Sequence, residues 1–193
     1  MQRQRLALTT MNSSSPIRLL HKKERTWVTR DATTGEISDL LSIRIVGVTG
    51  QCTPSACREE KEAFGIGNQE LKDAESEAHW HRLLLDMDGN SFSGRFYRLL
   101  RTNSVVLKQT VFQEWHDDRL VPWVHFVPIS TSFEELPEVT RFLAKTDEGR
   151  SIAHRIASES KEWARQALRE IDLQLVWFRL LLEYGRLENG HDV

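Results

Sequence analysis

Ten consecutive residues, Asp86-Met87-Asp88-Gly89-Asn90-Ser91-Phe92-Ser93-Gly94-Arg95, gather small, hydroxylated and charged side chains in one short stretch. An apolar run precedes them and a helically spaced segment follows. The small residues let a backbone turn tightly and come close to a ligand. Amide groups at the start of a helix favour phosphate. Ser93 has a hydroxyl to donate, and Arg95 can fork two bonds onto a diphosphate. Anion binding, with Arg95 at its centre, is the chemistry this stretch can do. A plain strand-to-helix turn carrying a surface arginine explains the same residues equally well, and composition does not separate the two. The stretch is neither a GxGxxG fingerprint nor a P-loop, so those motifs lend no support.

The surrounding elements decide whether such a loop is presented to a ligand. Arg82-Leu83-Leu84-Leu85-Asp86-Met87 reads as a strand buried on both faces, ended by Asp88-Gly89-Asn90. Arg95 to Thr102 places Phe96, Leu99 and Leu100 at helical spacing. Ser104–Lys108 reads as a second buried strand and Trp123–Pro128 as a third. Strands alternating with a helix imply parallel pairing, in an α/β domain with helices on both faces of the sheet. In such a sheet ligands bind beyond the carboxyl ends of the strands, where the 86–95 loop sits. Three helices follow. Ser132-Phe133-Glu134-Glu135 fits a capping box, with the regular helix from Pro137 to about Lys145. Asp147 caps the next. A last helix runs from about Glu170 to Leu187, with Leu173, Val176, Trp177, Leu180, Leu181 and Tyr184 as an apolar stripe expected to pack into the core.

The first part of the chain is weakly patterned. Gln2-Arg3-Gln4-Arg5-Leu6 reads as the tail of a helix, Thr9 to Ser15 as a loop, and Ser42 to Val48 as a strand. Gln51 to Glu77 reads as loop or short helices. The abrupt start suggests a fragmentary gene product. The chain has 193 residues, enough for one domain or one and a fragment. With 26 Lys and Arg against 28 Asp and Glu, it lacks the basic excess of a nucleic-acid-binding chain. Its 39% hydrophobic and 28% charged residues suit a globular domain. The longest apolar runs, Leu83–Leu85 and Leu180–Leu182, are far short of a membrane span, and no secretory h-region follows Met1.

Other chemistry-bearing residues have bland readings. His79 and His81 flank Trp80, but no third ligand stands nearby and no metal is expected. Cys52 and Cys57 can be a local disulfide or two ordinary thiols; both readings stand. Lys161, Glu162, Arg165, Arg169 and Glu170 read as a solvated helix face.

Two family resemblances follow from these motifs. Leu83-Leu84-Leu85-Asp86-Met87-Asp88-Gly89-Asn90 resembles the first motif of haloacid-dehalogenase-type phosphatases, which implies Asp86 as nucleophile, Asp88 as acid/base and magnesium, with Asp117-Asp118 as a later acidic pair. That motif normally belongs to a domain's first strand, and Asp117-Asp118 follows a polar stretch, so the context does not fit. The longer series resembles glycosyltransferase family 90, the capsule-associated and protein O-glucosyltransferase family. It runs from Leu84 to Phe96 and through Leu99-Leu100, Asn103–Gln109, Glu114-Trp115, Pro122–Pro128 and Phe178–Tyr184. The likeness covers roughly Trp80 to Leu187 and extends weakly to the Gln2–Leu6 stretch.

The second resemblance implies a two-lobed GT-B enzyme whose Rossmann-like C-terminal lobe holds UDP. Residues 80–193 would be that lobe, and 1–79 a partial edge region from the family's middle. Ser93, Gly94 and Arg95 would contact the diphosphate, and Asp88, Gly89 and Asn90 would shape the loop. His125 and Trp123 would border the cleft, or form a packed pair. The implied partners are a UDP-sugar donor and a hydroxyl acceptor on a glycan or protein, without a metal cofactor. The implied compartment is the lumen of the endoplasmic reticulum or Golgi. The family's Arg-Gly-(Ser/Thr) motif and the lobe bearing its general base have no match here. This points to a donor-binding half whose own catalysis is incomplete.

Overall fold

The computed structural model describes residues 2–11, 14–43, 52–64, 80–188 and 190. Its centre is β4, Val105–Gln109, whose five residues are all buried. A strand covered on both faces must be apolar at consecutive positions, and Val105-Val106-Leu107 meets that demand. β3, Leu83–Met87, lies parallel on one side, with Leu83 opposite Val105 and Asp86 opposite Lys108. β5 lies parallel on the other side and is only Val127–Pro128, with Leu107 opposite Val127. Between β3 and β4 runs α4, Phe96–Leu100. The expected parallel α/β arrangement is thus present as a three-stranded sheet in the order β3-β4-β5.

Side-chain alternation splits the core in two. Val105 and Leu107 face one cluster with Met87, Val127, Leu136, Leu143 and Ile156. Val106 faces the other with Phe96, Leu100, Leu120 and Leu168. α5, Leu136–Lys145, and α6, Asp147–Ala167, supply much of this cover. Residues early in the chain contribute too. α1, Gln2–Met11, buries Leu6 in the first cluster. β1, Pro16–Lys23, and β2, Thr26–Thr33, form an antiparallel hairpin in register from Pro16–Thr33 to Lys23–Thr26. Glu24 takes a φ of 55° at its turn. The short α2, Gly35–Ser38, closes a small cluster of Leu19, Ala32 and Ile37. α3, Pro54–Ala63, begins at Thr53, whose hydroxyl accepts the Ala56 amide. Cys52 and Cys57 are joined by a disulfide across that start.

Several expectations need correction. The third strand is shorter than Trp123–Pro128, because the chain turns at Trp123 (φ 64°) and the Val124 and His125 amides both donate to the Val121 carbonyl. Thr9 to Met11 are helical, not loop. The hairpin was not anticipated. The expected capping box at Ser132 does not form: Glu135 precedes α5, and its carboxylate takes both the amide and the hydroxyl of Ser130. Thr146, not Asp147, caps α6, since Thr146 is extended and its hydroxyl accepts the Gly149 amide at 3.0 Å. α7, Glu170–Glu188, has the expected span, but none of its residues is buried. Its apolar stripe therefore does not pack into this core. The strand expected over Ser42–Val48 lies largely outside the described residues, and Ser42 and Ile43 themselves are not in a strand. No helix among the described residues is long and apolar enough to cross a membrane.

Candidate functional site

Asp86 is the next-to-last residue of β3 and is fully buried. Its position opposite Lys108 puts both side chains on the face covered by α4. Lys108 Nζ donates to Asp86 Oδ2 at 2.9 Å. Ser93 Oγ donates to Oδ1 at 2.6 Å, and Arg95 reaches the same oxygen at 3.4 Å. A buried carboxylate is tolerable only with this kind of pairing. The β3–α4 loop is thus folded back onto its own strand by two of its side chains. Arg95 immediately precedes α4, and its side chain is 48% exposed. Because α4 is only five residues long, whatever charge this loop offers an anion comes chiefly from side chains, not from a helix terminus.

A second layer stands behind Lys108. Its ammonium lies 4.4 Å from the centre of the Phe96 ring and 4.0 Å from Glu114 Oε1. Tyr97 donates its hydroxyl to Glu114 at 3.1 Å and receives the Trp115 indole N–H at 3.1 Å. Burial, then the neighbouring Glu114 charge, pushes the Tyr97 hydroxyl up to about 12. Burial also raises Glu114, against the pull of Lys108. His116, in contact with Tyr97 through Nδ1 at 3.2 Å, is lowered by burial.

Arg3 of α1 comes to the same end of the sheet. It donates Nη2 to the carbonyl of Met87, the last residue of β3. Its guanidinium is lowered first by burial and then by the Arg95 charge, so the two cations sense each other. The Gln2–Leu6 basic run was the signal for Arg3, but local pattern could not show which strand end it meets. Asp88 follows directly, with Oδ2 accepting the Val111 amide at 2.8 Å. Gly89, Asn90 and Gly94 are exposed.

The anticipated residues therefore divide. Asp88, Gly89, Asn90, Ser93, Gly94 and Arg95 lie together at the carboxyl end of β3, although Ser93 is buried and gives its hydroxyl to Asp86. His125 is not brought to them. It precedes β5, at the opposite end of the parallel sheet, where its Nδ1 accepts the Val121 amide at 2.9 Å and its ring lies 5.9 Å from Trp163. Trp123 is exposed and forms no core pair with it. Asp117 accepts the Glu114 amide and lies beside His116 instead of Asp86. The phosphatase constellation is therefore not assembled, and both Asp86 oxygens are already engaged. His81 is exposed, His79 lies outside the described residues, and no group of three metal-ligating side chains occurs among the described residues. A recess of about 320 Å³ lies elsewhere, between the hairpin, α1 and the start of α5, lined by residues such as Leu19, Ile37 and Phe133.

A buried Asp–Lys pair holding a loop with a half-exposed arginine at a parallel sheet's carboxyl end is an arrangement suited to anionic ligands. The family model of glycosyl transferase family 90 matches residues 48–191, and the chain belongs to that family. Among its relatives, protein O-glucosyltransferase 1 of Homo sapiens is 29% identical over 125 residues, which is 63% of this chain and 31% of that protein. The O-glucosyltransferase rumi homolog of Aedes aegypti is 34% identical over 110 residues, covering 55% of this chain and 27% of the relative. O-glucosyltransferase rumi of Drosophila pseudoobscura pseudoobscura is 33% identical over 112 residues, 55% of this chain and 26% of the relative. The matched stretch thus spans less than a third of the length of these relatives.

Proposed function

We propose that this chain is the donor-binding portion of a glycosyltransferase that transfers a sugar from UDP to a hydroxyl on a protein or glycan. The observation that carries this reading is Arg95. Its guanidinium stands half exposed at the carboxyl end of β3, anchored on a carboxylate that Lys108 and Ser93 hold in place. An anchored guanidinium loses little freedom when it pairs with a diphosphate, and its fork matches two phosphate oxygens. Family membership supports a sugar donor, and the names of the relatives support glucose. Ser93, Gly94, Asp88, Gly89 and Asn90 complete the loop under this reading. The lobe assignment within a GT-B enzyme is part of the same proposal. The Cys52–Cys57 disulfide supports an oxidising lumen.

Transfer to a hydroxyl needs a base that removes its proton while UDP departs. Under this reading that base belongs to a portion of the enzyme beyond this chain, so the chain binds UDP without turning over UDP-sugar. Calorimetry tests the donor site. Arg95→Ala is expected to weaken UDP binding roughly ten- to a hundredfold, through loss of a charge-assisted contact. Arg95→Lys should recover only part, and Arg98→Ala, on the exposed side of α4, should change little. Equal UDP affinity for wild type and Arg95→Ala refutes the reading.

A further inference from the structure

Asp88 carries a feature that diphosphate binding does not use. It is only 7% exposed, at the last covered position before the exposed stretch 89–92. The Val111 amide holds Oδ2 at 2.8 Å and so fixes the carboxylate's orientation. The other oxygen, Oδ1, is buried and has no hydrogen-bond partner. Buried polar atoms are nearly always paired, and an unpaired one asks for an explanation. A carboxylate oxygen can only accept, so the missing partner is a donor.

The neighbours narrow which donor. Arg3 is close, with Nη2 3.9 Å from where a Cβ on Gly89 would sit, yet it gives that nitrogen to the Met87 carbonyl. Asp86, two residues back, is filled by Ser93, Lys108 and Arg95. A phosphate oxygen is repelled by a carboxylate and drawn to the guanidinium of Arg95. With no third carboxylate or imidazole completing a cluster among the described residues, a metal ion has too few ligands here. Among the groups a ligand could bring, what remains is a neutral donor carried by an otherwise anionic molecule.

We propose that Asp88 Oδ1 accepts a ring hydroxyl of the bound nucleotide sugar, making Asp88 a specificity-determining residue. This inference rests on the donor-site reading above. Arg95 takes the charge that nucleotides share with pyrophosphate, and Asp88 reads the hydroxylated part that pyrophosphate lacks. The hydroxyl comes from the ribose or from the transferred sugar, and the two sources give different results.

The test is calorimetry of wild type, Asp88→Ala and Asp88→Asn with pyrophosphate, UDP and UDP-glucose. Both variants are expected to bind pyrophosphate at least as well as wild type, since a negative charge is gone. Asp88→Ala should weaken UDP-glucose by roughly tenfold, the loss expected for one hydrogen bond to a charged group. If the hydroxyl is the ribose's, UDP weakens equally; if it is the sugar's, UDP is unchanged. Asp88→Asn, which can still accept the Val111 amide and turn its NH2 to the hydroxyl, should recover part of the loss and melt at the wild-type temperature. UDP-glucose affinity equal in wild type and Asp88→Ala overturns the role of Asp88, as does a parallel loss of pyrophosphate. If UDP binding depends on Arg95 while Asp88→Ala has no effect, only this inference fails. A wild-type chain that binds none of the three ligands removes the donor reading and this inference together.

Discussion

Lys108 and Asp86 are almost wholly buried, and each is the other's main neutralising partner. The free energy of such a pair lies less in attraction than in the cost of leaving one charge behind. Lys108→Met should therefore lower stability by about 3–5 kcal/mol, and adding Asp86→Leu should restore much of it. Urea unfolding of the single and double variants measures both; a single variant as stable as wild type contradicts this account. His116 sets a pH dependence. It is packed among the Phe96, Tyr97 and Trp115 rings, and Lys108 adds to the effect of burial while Asp117 opposes it. Its folded pKa lies below the ordinary 6.5, so the unfolded chain takes up the proton first. This residue's contribution is whole above 6.5 and is lost as pH falls from there towards the folded value. His125 is lowered by burial too, and Glu114, raised by burial, works in the opposite sense above 4.5. His116→Asn should flatten the fall in stability just below pH 6.5 without abolishing it. Thermal unfolding across that range reads the slope, and an unchanged slope excludes His116 as its source.

At the scale of elements, the join between α5 and α6 is the tightest test of the packing. Gly149 is buried in the first turn of α6. A Cβ there would lie 2.6 Å from the Phe142 carbonyl carbon and 2.7 Å from the Thr146 hydroxyl oxygen. In an unobstructed helix Gly→Ala gains about 1 kcal/mol. Here the obstruction is backbone and cannot swing aside, so Gly149→Ala should instead destabilise by about 1–3 kcal/mol. Denaturant unfolding decides the sign, and a more stable variant contradicts the close approach. The elements differ in how openly they show in sequence. β3 and β4 are legible because strands covered on both faces carry apolar residues at consecutive positions, as Leu83–Leu85 and Val105–Leu107 do. The hairpin is illegible because β2 is exposed at seven of its eight positions and so has no buried face to impose alternation. Trp123-Val124-His125 misleads, since an apolar, β-rich tripeptide reads as strand, while the backbone bonds to Val121 make it a turn.

Across the whole molecule, α7 stands apart. Leu173, Leu175, Trp177, Phe178, Leu180, Leu181 and Leu182 are all exposed. A helix with so broad an apolar surface is normally one that its surroundings cover, and the described residues do not cover this one. Leu181→Glu should then change the melting free energy by no more than about 0.5 kcal/mol, whereas Leu143→Ala, in the core, should cost about 2–5 kcal/mol. Comparable losses by calorimetric melting would show that α7 is part of this chain's core. Periodicity identified α7 as a helix but not its burial, because a repeat reports which residues share a face and not what lies opposite. The same limit divides the site. Asp88, Ser93 and Arg95 were legible as one loop because nearness in sequence brings them together. Arg3, 84 residues from Met87, joins them only through the fold, and His125 leaves them because a parallel sheet puts the approach to β5 at the end opposite the exit from β3. Local residue pattern thus determined β3, β4, the helices from α4 to α7 and the charged loop, since each depends on neighbours in the chain. Tertiary structure alone decided that Lys108 neutralises Asp86, that Arg3 reaches the loop and that one Asp88 oxygen is left unpaired, since those facts depend on which strand ends and faces are packed together.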